Sequence, residues 1–115
     1  MELKERIDLL RDAGVLSQKN YESVEKVIAY FKEQHGIELT EANAASFVTH
    51  LCMALERKDQ NQKIAPMDES LLTDIKKEDC FPQAYGYCKE VCSLLPQIDE
   101  EESNYLCLHI ASFLL

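Results

Sequence analysis

Residues 40–59, TEANAASFVTHLCMALERKD, carry the clearest structural pattern in the sequence. Thr40 stands at its start and is a favourable N-cap, because its hydroxyl can accept a hydrogen bond from a backbone N–H of the first turn. Apolar side chains then recur at i, i+3, i+4, i+7, i+8 and i+11, the spacing of one helix face. The stretch therefore predicts an amphipathic helix that packs on a core. The apolar set consists of Ala44, Phe47, Val48, Leu51, Cys52 and Leu55.

Weaker helical patterns lie on both sides of this stretch. The chain has only three glycines and three prolines, which disfavours an all-β fold rich in turns. The polar run ERKDQNQK at 56–63 predicts a helix end followed by an exposed loop. We therefore predict an all-α fold, a compact bundle of five to six helices. The other helical segments are 2–13 before Gly14, a segment that Ser17 caps and that ends near His35 and Gly36, 69–78, 81–94 and 100–115.

The chain is long enough for one hydrophobic core. It has 115 residues, of which 46% are hydrophobic, and this is enough apolar material to fold without disulfides or a metal. No internal repeat, low-complexity segment or inter-domain linker interrupts the helical patterns. We therefore expect residues 1–115 to form a single domain.

The charge of the chain excludes several classes of partner. The formal net charge is -9 and the pI is about 4.7. Nucleic-acid binding depends on basic side chains that neutralise phosphates, and no run of lysines or arginines is present. We therefore expect no direct contact with DNA or RNA and no binding to anionic membranes.

The N-terminus and the cysteines indicate a cellular compartment. The opening MELKERIDLL alternates charged and apolar residues, so it does not resemble a secretory leader. No apolar run approaches the roughly 20 residues of a membrane span. Five cysteines are an odd number, which argues against a secreted disulfide framework. We expect a cytoplasmic protein with reduced thiols.

His50 lies beside the apolar face of the helix predicted over 40–59. Asn43, His50 and Arg57 are seven residues apart, so they stack in one column at the border of the core. Neutral imidazole is a good phosphoryl acceptor, since its unperturbed pKa is about 6.5. A guanidinium within reach can stabilise the charge of the phosphoryl group. We take Arg57 and Asn43 as supporting residues, against the plainer interpretation of a packed or solvated histidine.

His109 lies in the last predicted helix, which is apolar almost all round after Asn104. Glu102 is two turns before His109. A histidine in such apolar surroundings needs a hydrogen bond, or it costs of order 1–3 kcal/mol. The apolar end of the helix, residues 112–115, needs cover from the core or from a second subunit. A structural histidine is the plainer interpretation here too.

The sequence around His50 resembles a known family. Residues 48–57, VTHLCMALER, are similar to the first histidine segment of PTS regulation domains (PRD), the regulatory domains of the sugar phosphotransferase system. In that family an arginine follows the histidine seven residues later, as Arg57 follows His50. Residues 9–16, LLRDAGVL, also resemble the family's opening leucine and alanine-glycine pattern.

The second histidine segment shows the same resemblance. Residues 102–110, ESNYLCLHI, are similar to the family's second histidine segment, in which a glutamate stands seven residues before the histidine. Glu102 and His109 keep this spacing. His50 and His109 are 59 residues apart, which suits one domain of this family. The resemblance covers essentially the whole chain.

The resemblance implies a regulatory function. Domains of this family are helical bundles that usually dimerise, and they occur mostly in transcription antiterminators and activators of sugar-use operons. The histidine-containing phosphocarrier protein or sugar-specific enzyme II components phosphorylate their histidines. The added charge of about -1.5 to -2 favours or breaks association at a dimer interface. By resemblance, His50 and His109 are the phosphorylation sites, Arg57 and Glu102 support them, and a homodimer is expected.

Two features depart from the family's pattern. Thr49 stands where the family often has an aspartate just before the first histidine, so a carboxylate that could orient the imidazole is missing. Regulators of this family normally carry paired domains and an RNA-binding or DNA-binding module, whereas this sequence predicts one domain and no basic module. Such a domain can bind a separate transcriptional regulator, serve as a phosphate sink, or act as an interaction module that no longer takes phosphate. The sequence leaves these three open.

Other function classes compete with regulation. Cys88 and Cys92 lie one turn apart, and Cys107 and His109 add two ligand types, but this spacing fits structural zinc only loosely. Buried cysteine acting as a small hydrophobe is the favoured interpretation, and we expect no metal and no cofactor. No glycine-rich phosphate loop or Cys/His nucleophile arrangement is present, so we expect no enzyme. A non-phosphorylated helical module that binds a partner regulator is the main alternative.

Overall fold

The computed structural model describes residues 1–115 and contains six α-helices and no β-strand. The predicted all-α bundle of five to six helices is confirmed. No helix combines the length and the apolar character that crossing a membrane requires. The helices are α1 (Leu3–Asp12), α2 (Gln18–His35), α3 (Glu41–Asp59), α4 (Glu69–Lys76), α5 (Phe81–Leu94) and α6 (Glu100–Leu114).

Local sequence determines several of the ends of the first three helices. The Ser17 hydroxyl accepts a hydrogen bond from a backbone N–H of the first turn of α2. Thr40 and Asn43 form a reciprocal capping box at the start of α3. Gly14 and Gly36 have φ angles of 76° and 64°, in the left-handed region that favours glycine after a helix. The caps and stops predicted from the sequence are confirmed at these positions.

The core is built around α3, which packs against α1, α2 and α6. All six apolar residues of the face predicted over 40–59 are buried. Helix α5 covers the other side of α6, and α4 packs on α6 as well. The most regular sequence pattern thus identified the helix on which most other elements rest. This arrangement places α3 and α6, which carry the two candidate histidines, side by side.

A cluster of three phenylalanines covers the apolar end of α6. Phe113 meets Phe31 and Phe47 edge to face, with ring centroids 5.6 and 5.7 Å apart. Phe31 and Phe47 are themselves 5.8 Å apart in the same geometry. The core therefore provides the cover that the sequence required for Phe113. Leu115 beyond it is 82% exposed.

Helix α3 ends within the polar run 56–63, as the sequence pattern predicted. Its last residue is Asp59, and two of its last carboxylates bind the start of α2. The Glu56 carboxylate accepts from the backbone N–H of Ser17 at 3.1 Å, and Asn20 donates to both Glu56 and Asp59. These tertiary hydrogen bonds anchor a turn whose sequence has no apolar face of its own.

The segment between α3 and α4, residues 60–68, is tied to α6. The Tyr105 hydroxyl donates a hydrogen bond of 3.0 Å to the carbonyl oxygen of Ala65. Met67 is buried. The segment therefore lies against the body of the domain, and it brings Ile64 to the edge of the cleft described next.

Candidate functional site

Helices α3 and α6 bring the two candidate histidines together. The imidazole rings of His50 and His109 have their centroids 5.2 Å apart and are tilted by 40°. The ring of Tyr105 stacks on His50 at 5.6 Å with an interplanar angle of 20°. Two residues 59 positions apart in the chain thus form a pair, since α3 and α6 are packed neighbours.

Glu102 and Arg57 form an ion pair beside the histidines. The Arg57 Nε and one terminal nitrogen donate to the two Glu102 oxygens at 2.8 and 2.9 Å. This fork geometry is the stronger form of an arginine–carboxylate bond. The Glu102 side chain is only 6% exposed. At the start of α6, Asp99 accepts a hydrogen bond from the Glu102 backbone N–H at 3.0 Å. The capping carboxylate is thus Asp99, while the Glu102 carboxylate is held by Arg57.

The carboxylate of Glu102 also approaches His50. The His50 Nε2 atom is 3.3 Å from Glu102 Oε1. The two atoms are close enough to attract but are not aligned for a hydrogen bond, since Nε2 is buried without a hydrogen-bond partner. The Thr49 hydroxyl oxygen is the other buried side-chain atom without one. The sequence grouped Glu102 with His109, whereas the structure places its carboxylate between Arg57 and His50.

Burial keeps both imidazoles in the neutral form. Loss of water lowers the pKa of His50, and the nearby His109 and Arg57 lower it further against the opposing pull of Glu102. Burial alone lowers the pKa of His109. A neutral ring carries a nitrogen lone pair, which a nucleophile requires.

His109 differs from His50 in the accessibility of its nitrogens. Its side chain makes no hydrogen bond, and neither of its ring nitrogens is among the buried atoms that lack a partner. The hydrogen bond expected from its apolar surroundings is therefore absent, because the ring reaches the surface of a cleft. One nitrogen of His50 is thus fully buried without a partner, whereas neither nitrogen of His109 is.

The histidines line an open cleft of about 460 Å³. Its walls come from α1, α3, α6 and the segment after α3. Six of its nine lining residues have polar or basic side chains. The residues that matter here are Arg6, Thr49, His50, Arg57, Ile64 and His109.

Arg6 was not found by sequence reasoning. It lies on α1, and its guanidinium forms an ion pair with Glu41 at the start of α3, with Nε 2.9 Å from Oε2. No local spacing links Arg6 to either histidine, because the three residues come from three different helices. Only the packing of α1 on α3 reveals that Arg6 belongs to the cleft.

Asn43 lies outside the His50 cleft. Its side-chain oxygen accepts from the Thr40 backbone N–H at 2.8 Å, and its amide donates to the Glu38 carbonyl at 3.1 Å. It lines a neighbouring cleft that His109 also borders. Asn43 therefore contributes to the start of α3, two turns away from His50.

The cysteines remain thiols in this structure, and all five are free. Cys88 donates to the carbonyl of Ser103 at 3.3 Å. Hydrogen bonding with the neighbouring thiols of Cys107 and Cys92, together with burial, raises the pKa of Cys88. No group of three or more His, Cys, Asp or Glu side chains is arranged to hold a metal ion. The packing fits the interpretation of these cysteines as small hydrophobes.

Comparison with known proteins shows the family. A family model described as the PRD domain matches residues 25–113, more than three quarters of the chain. The chain therefore belongs to the PRD domain family, the regulatory domains that its two histidine segments resembled. No curated protein and no solved structure matches it significantly. Helix α1 and the first turns of α2 lie outside the matched region.

Proposed function

We propose that this domain is a phosphate-responsive regulator of the sugar phosphotransferase system that accepts phosphoryl groups on His109 and His50. The observation that carries the proposal is the pairing of the two imidazoles, 5.2 Å apart, in one open cleft. Membership of the PRD family supports the class of function. The domain performs no turnover of its own and acts as the acceptor of the group.

The chemistry is a phosphoryl transfer between nitrogens. The lone-pair nitrogen of His109 attacks the phosphorus of a phosphohistidine on the donor, and the donor's N–P bond breaks with its electron pair returning to the donor imidazole. The His109 ring loses the proton of its other nitrogen, and the donor imidazole takes up one proton. The lowered pKa values of both histidines support this step, because a protonated ring has no free lone pair for attack.

His109 accepts before His50 in this scheme. Neither of its nitrogens is fully buried, whereas the Nε2 of His50 is buried 3.3 Å from the Glu102 carboxylate, which repels an incoming phosphate. Transfer to that atom requires the Glu102–Arg57 pair to move. We therefore expect His109 to be labelled faster than His50.

The partners follow from the same chemistry. The donor is the histidine-containing phosphocarrier protein or an enzyme II component, and the receiver of the signal is a separate transcriptional regulator. The domain itself associates as a homodimer. A phosphoryl group of about -1.5 to -2 charge, added to a chain of net charge -9, alters such association by repulsion or by new arginine contacts.

The direct test is transfer from the phosphorylated phosphocarrier protein to the purified domain. We expect acid-labile label on the parent chain, reduced label in His109→Ala and none in the double variant His50→Ala with His109→Ala. Asn43→Ala serves as a control, because Asn43 lies outside the cleft. Sedimentation with and without label measures whether association responds. Absence of label on the parent would refute the proposal.

One observation favours a second candidate, a helical interaction module that takes no phosphate. Thr49 stands where the family often has an aspartate, and its buried hydroxyl has no hydrogen-bond partner. The Nε2 of His50 is buried without a partner as well, so this half of the site lacks the residue that would orient the imidazole. In that case the double histidine variant still binds its partner regulator as the parent does. The same labelling experiment distinguishes the two candidates.

A further inference from the structure

The cleft contains an arginine that the family match does not include. Arg6 lies on α1, outside the matched residues 25–113, and lines the cleft together with His109. Its partner Glu41 lines the neighbouring cleft, which His109 also borders. The two members of this ion pair therefore line the two clefts that His109 borders.

We propose that Arg6 holds the phosphoryl group of phosphorylated His109 and gives up Glu41 to do so. The inference rests on the proposed function, since it requires a phosphoryl group on His109. The exchange is non-covalent: the guanidinium–carboxylate hydrogen bonds break, and guanidinium–phosphoryl hydrogen bonds form. Glu41 then turns to solvent.

Charge and geometry both drive this exchange. A phosphoryl group presents three acceptor oxygens and about -1.5 to -2 charge, more than the single charge of a carboxylate. The guanidinium fork fits two phosphate oxygens as well as it fits a carboxylate. The Glu41 carboxylate lines the second cleft that His109 borders, and the new negative charge repels it. When His109 is phosphorylated, the contact of Arg6 with the phosphoryl group is therefore more favourable than its contact with Glu41.

The other arginine of the cleft is less free to exchange its partner. The Arg57–Glu102 pair has side chains 24% and 6% exposed, and its carboxylate is enclosed between Arg57 and His50. The Arg6 and Glu41 side chains are 33% and 25% exposed. Releasing Glu41 to water costs less than leaving Glu102 buried without its cation. Arg6 is thus the arginine that can move to the phosphoryl group.

The exchange transmits the effect of phosphorylation on α6 to α1. Arg6 ties α1 to the first residue of α3 in the unmodified chain. After exchange it ties α1 to His109 on α6. The contact that holds α1 to the rest of the domain therefore changes when His109 is phosphorylated.

The test uses the full chain labelled with phosphoramidate, a small donor that needs no protein partner. The N–P bond of phosphoramidate breaks and ammonia leaves. The imidazole nitrogen with the lone pair takes the phosphoryl group, and the other ring nitrogen gives its proton to the ammonia. The His109 signal is assigned in ³¹P NMR by its loss in His109→Gln. A pH titration of that signal then measures the pKa of the attached phosphoryl group, which a nearby guanidinium lowers.

Opposite shifts are expected from the two halves of the ion pair. Arg6→Gln raises the phosphoryl pKa by roughly one unit. Glu41→Gln frees Arg6 and therefore lowers the pKa of the phosphoryl group. In a chain that already carries Arg6→Gln, Glu41→Gln should lower this pKa by less. Opposite signs alone follow from the removed charges, so the exchange is distinguished by the size of the Arg6→Gln shift and by the loss of the Glu41→Gln effect once Arg6 is replaced. Arg6→Lys keeps the charge without the fork and gives an intermediate value, should Arg6→Gln fail to fold.

Arg11→Gln is the matched control. It is an arginine of the same helix with the same 33% side-chain exposure, paired with Asp8 and Asp12 and absent from the cleft. An Arg6→Gln shift no larger than the Arg11→Gln shift overturns the inference about Arg6 alone. Failure of phosphoramidate to label His109 overturns both proposals. Labelling by phosphoramidate without transfer from the phosphocarrier protein counts against the proposed function alone.

Discussion

At the scale of single residues, Glu102 organises the site. Its carboxylate accepts two hydrogen bonds from Arg57 on α3 and lies 3.3 Å from the Nε2 of His50. The sequence identified Arg57 and Glu102 as separate supports for separate histidines. In the structure the two side chains form one ion pair, and the Glu102 carboxylate of this pair lies beside His50.

Removing this carboxylate leaves a cation without its partner. Glu102→Ala is expected to lower the free energy of unfolding by about 1–3 kcal/mol, less than for a fully buried pair because the Arg57 side chain is 24% exposed. Urea denaturation measures the loss. Glu101→Ala is the matched control in the same turn of α6, since Glu101 makes no ion pair, and it should cost under about 0.5 kcal/mol. Equal losses in both variants would contradict the role given to the ion pair.

The two histidines make stability depend on pH. Burial lowers their pKa values in the folded chain, so below about pH 6.5 the unfolded chain binds protons that the folded chain does not. The free energy of unfolding should fall as the pH drops from about 6.5, with a slope of at most about 1.4 kcal/mol per pH unit for each histidine. Above that pH the two residues add no slope.

Chemical denaturation at a series of pH values between about 5.5 and 8 checks this expectation. The variant with both His50→Gln and His109→Gln should show a shallower decline on the acid side than the parent. A parent whose stability rises on acidification through this range would contradict the sign.

At the scale of elements, the length of α3 depends on α2. The last turn of α3 is polar, yet it stays helical to Asp59 because Glu56 and Asp59 bind the side chain of Asn20. Asn20 is 1% exposed and is one of only two buried polar residues in the domain. A local pattern cannot show such an anchor, because the partners are more than 35 residues apart.

Replacing Asn20 should therefore loosen the end of α3. Asn20→Ala removes the one donor that Glu56 and Asp59 share, leaving Glu56 with the Ser17 N–H and Asp59 with Lys19. We expect a loss of about 1–3 kcal/mol with faster amide exchange over residues 56–60. Hydrogen exchange and urea denaturation measure both effects. Gln18→Ala, at an exposed position of the same helix, should stay within about 0.5 kcal/mol of the parent. Unchanged exchange in Asn20→Ala would refute the anchor.

At the scale of the whole molecule, one core joins the elements that carry the site. Phe31, Phe47 and Phe113 come from α2, α3 and α6, and their rings pack edge to face. The same packing fixes the distance between α3 and α6, and therefore the distance between His50 and His109. The packing of these three rings therefore contributes both to the stability of the domain and to the geometry of the site.

Phe31→Ala should affect both. Loss of the fully buried ring is expected to cost about 3–5 kcal/mol, close to the whole stability of a small domain. The His50 and His109 imidazole signals in NMR should also change, since α3 and α6 lose a shared contact. Tyr85→Ala removes an aromatic ring that is 50% exposed and should cost less than about 1 kcal/mol. A Phe31→Ala chain as stable as the parent would contradict this account of the core.

The sequence by itself determined the fold class, the helices and the identity of the two histidines. Helical periodicity, caps such as Ser17 and Thr40, and glycine stops are local features, so they can be recognised without knowing the contacts. The spacing of His50 to Arg57 and of Glu102 to His109 was enough to indicate the family. The sequence also placed the end of α3 within the polar run 56–63, where the helix ends at Asp59.

Only the tertiary structure decided how these residues meet. It pairs Glu102 with Arg57, leaves the Nε2 of His50 buried, and opens His109 to a cleft. It also brings Arg6 to that cleft from a helix with no recognisable motif. The physical reason is that burial, ion pairing and a shared cleft are properties of surfaces from distant parts of the chain. Those surfaces come into contact only when the helices pack around α3.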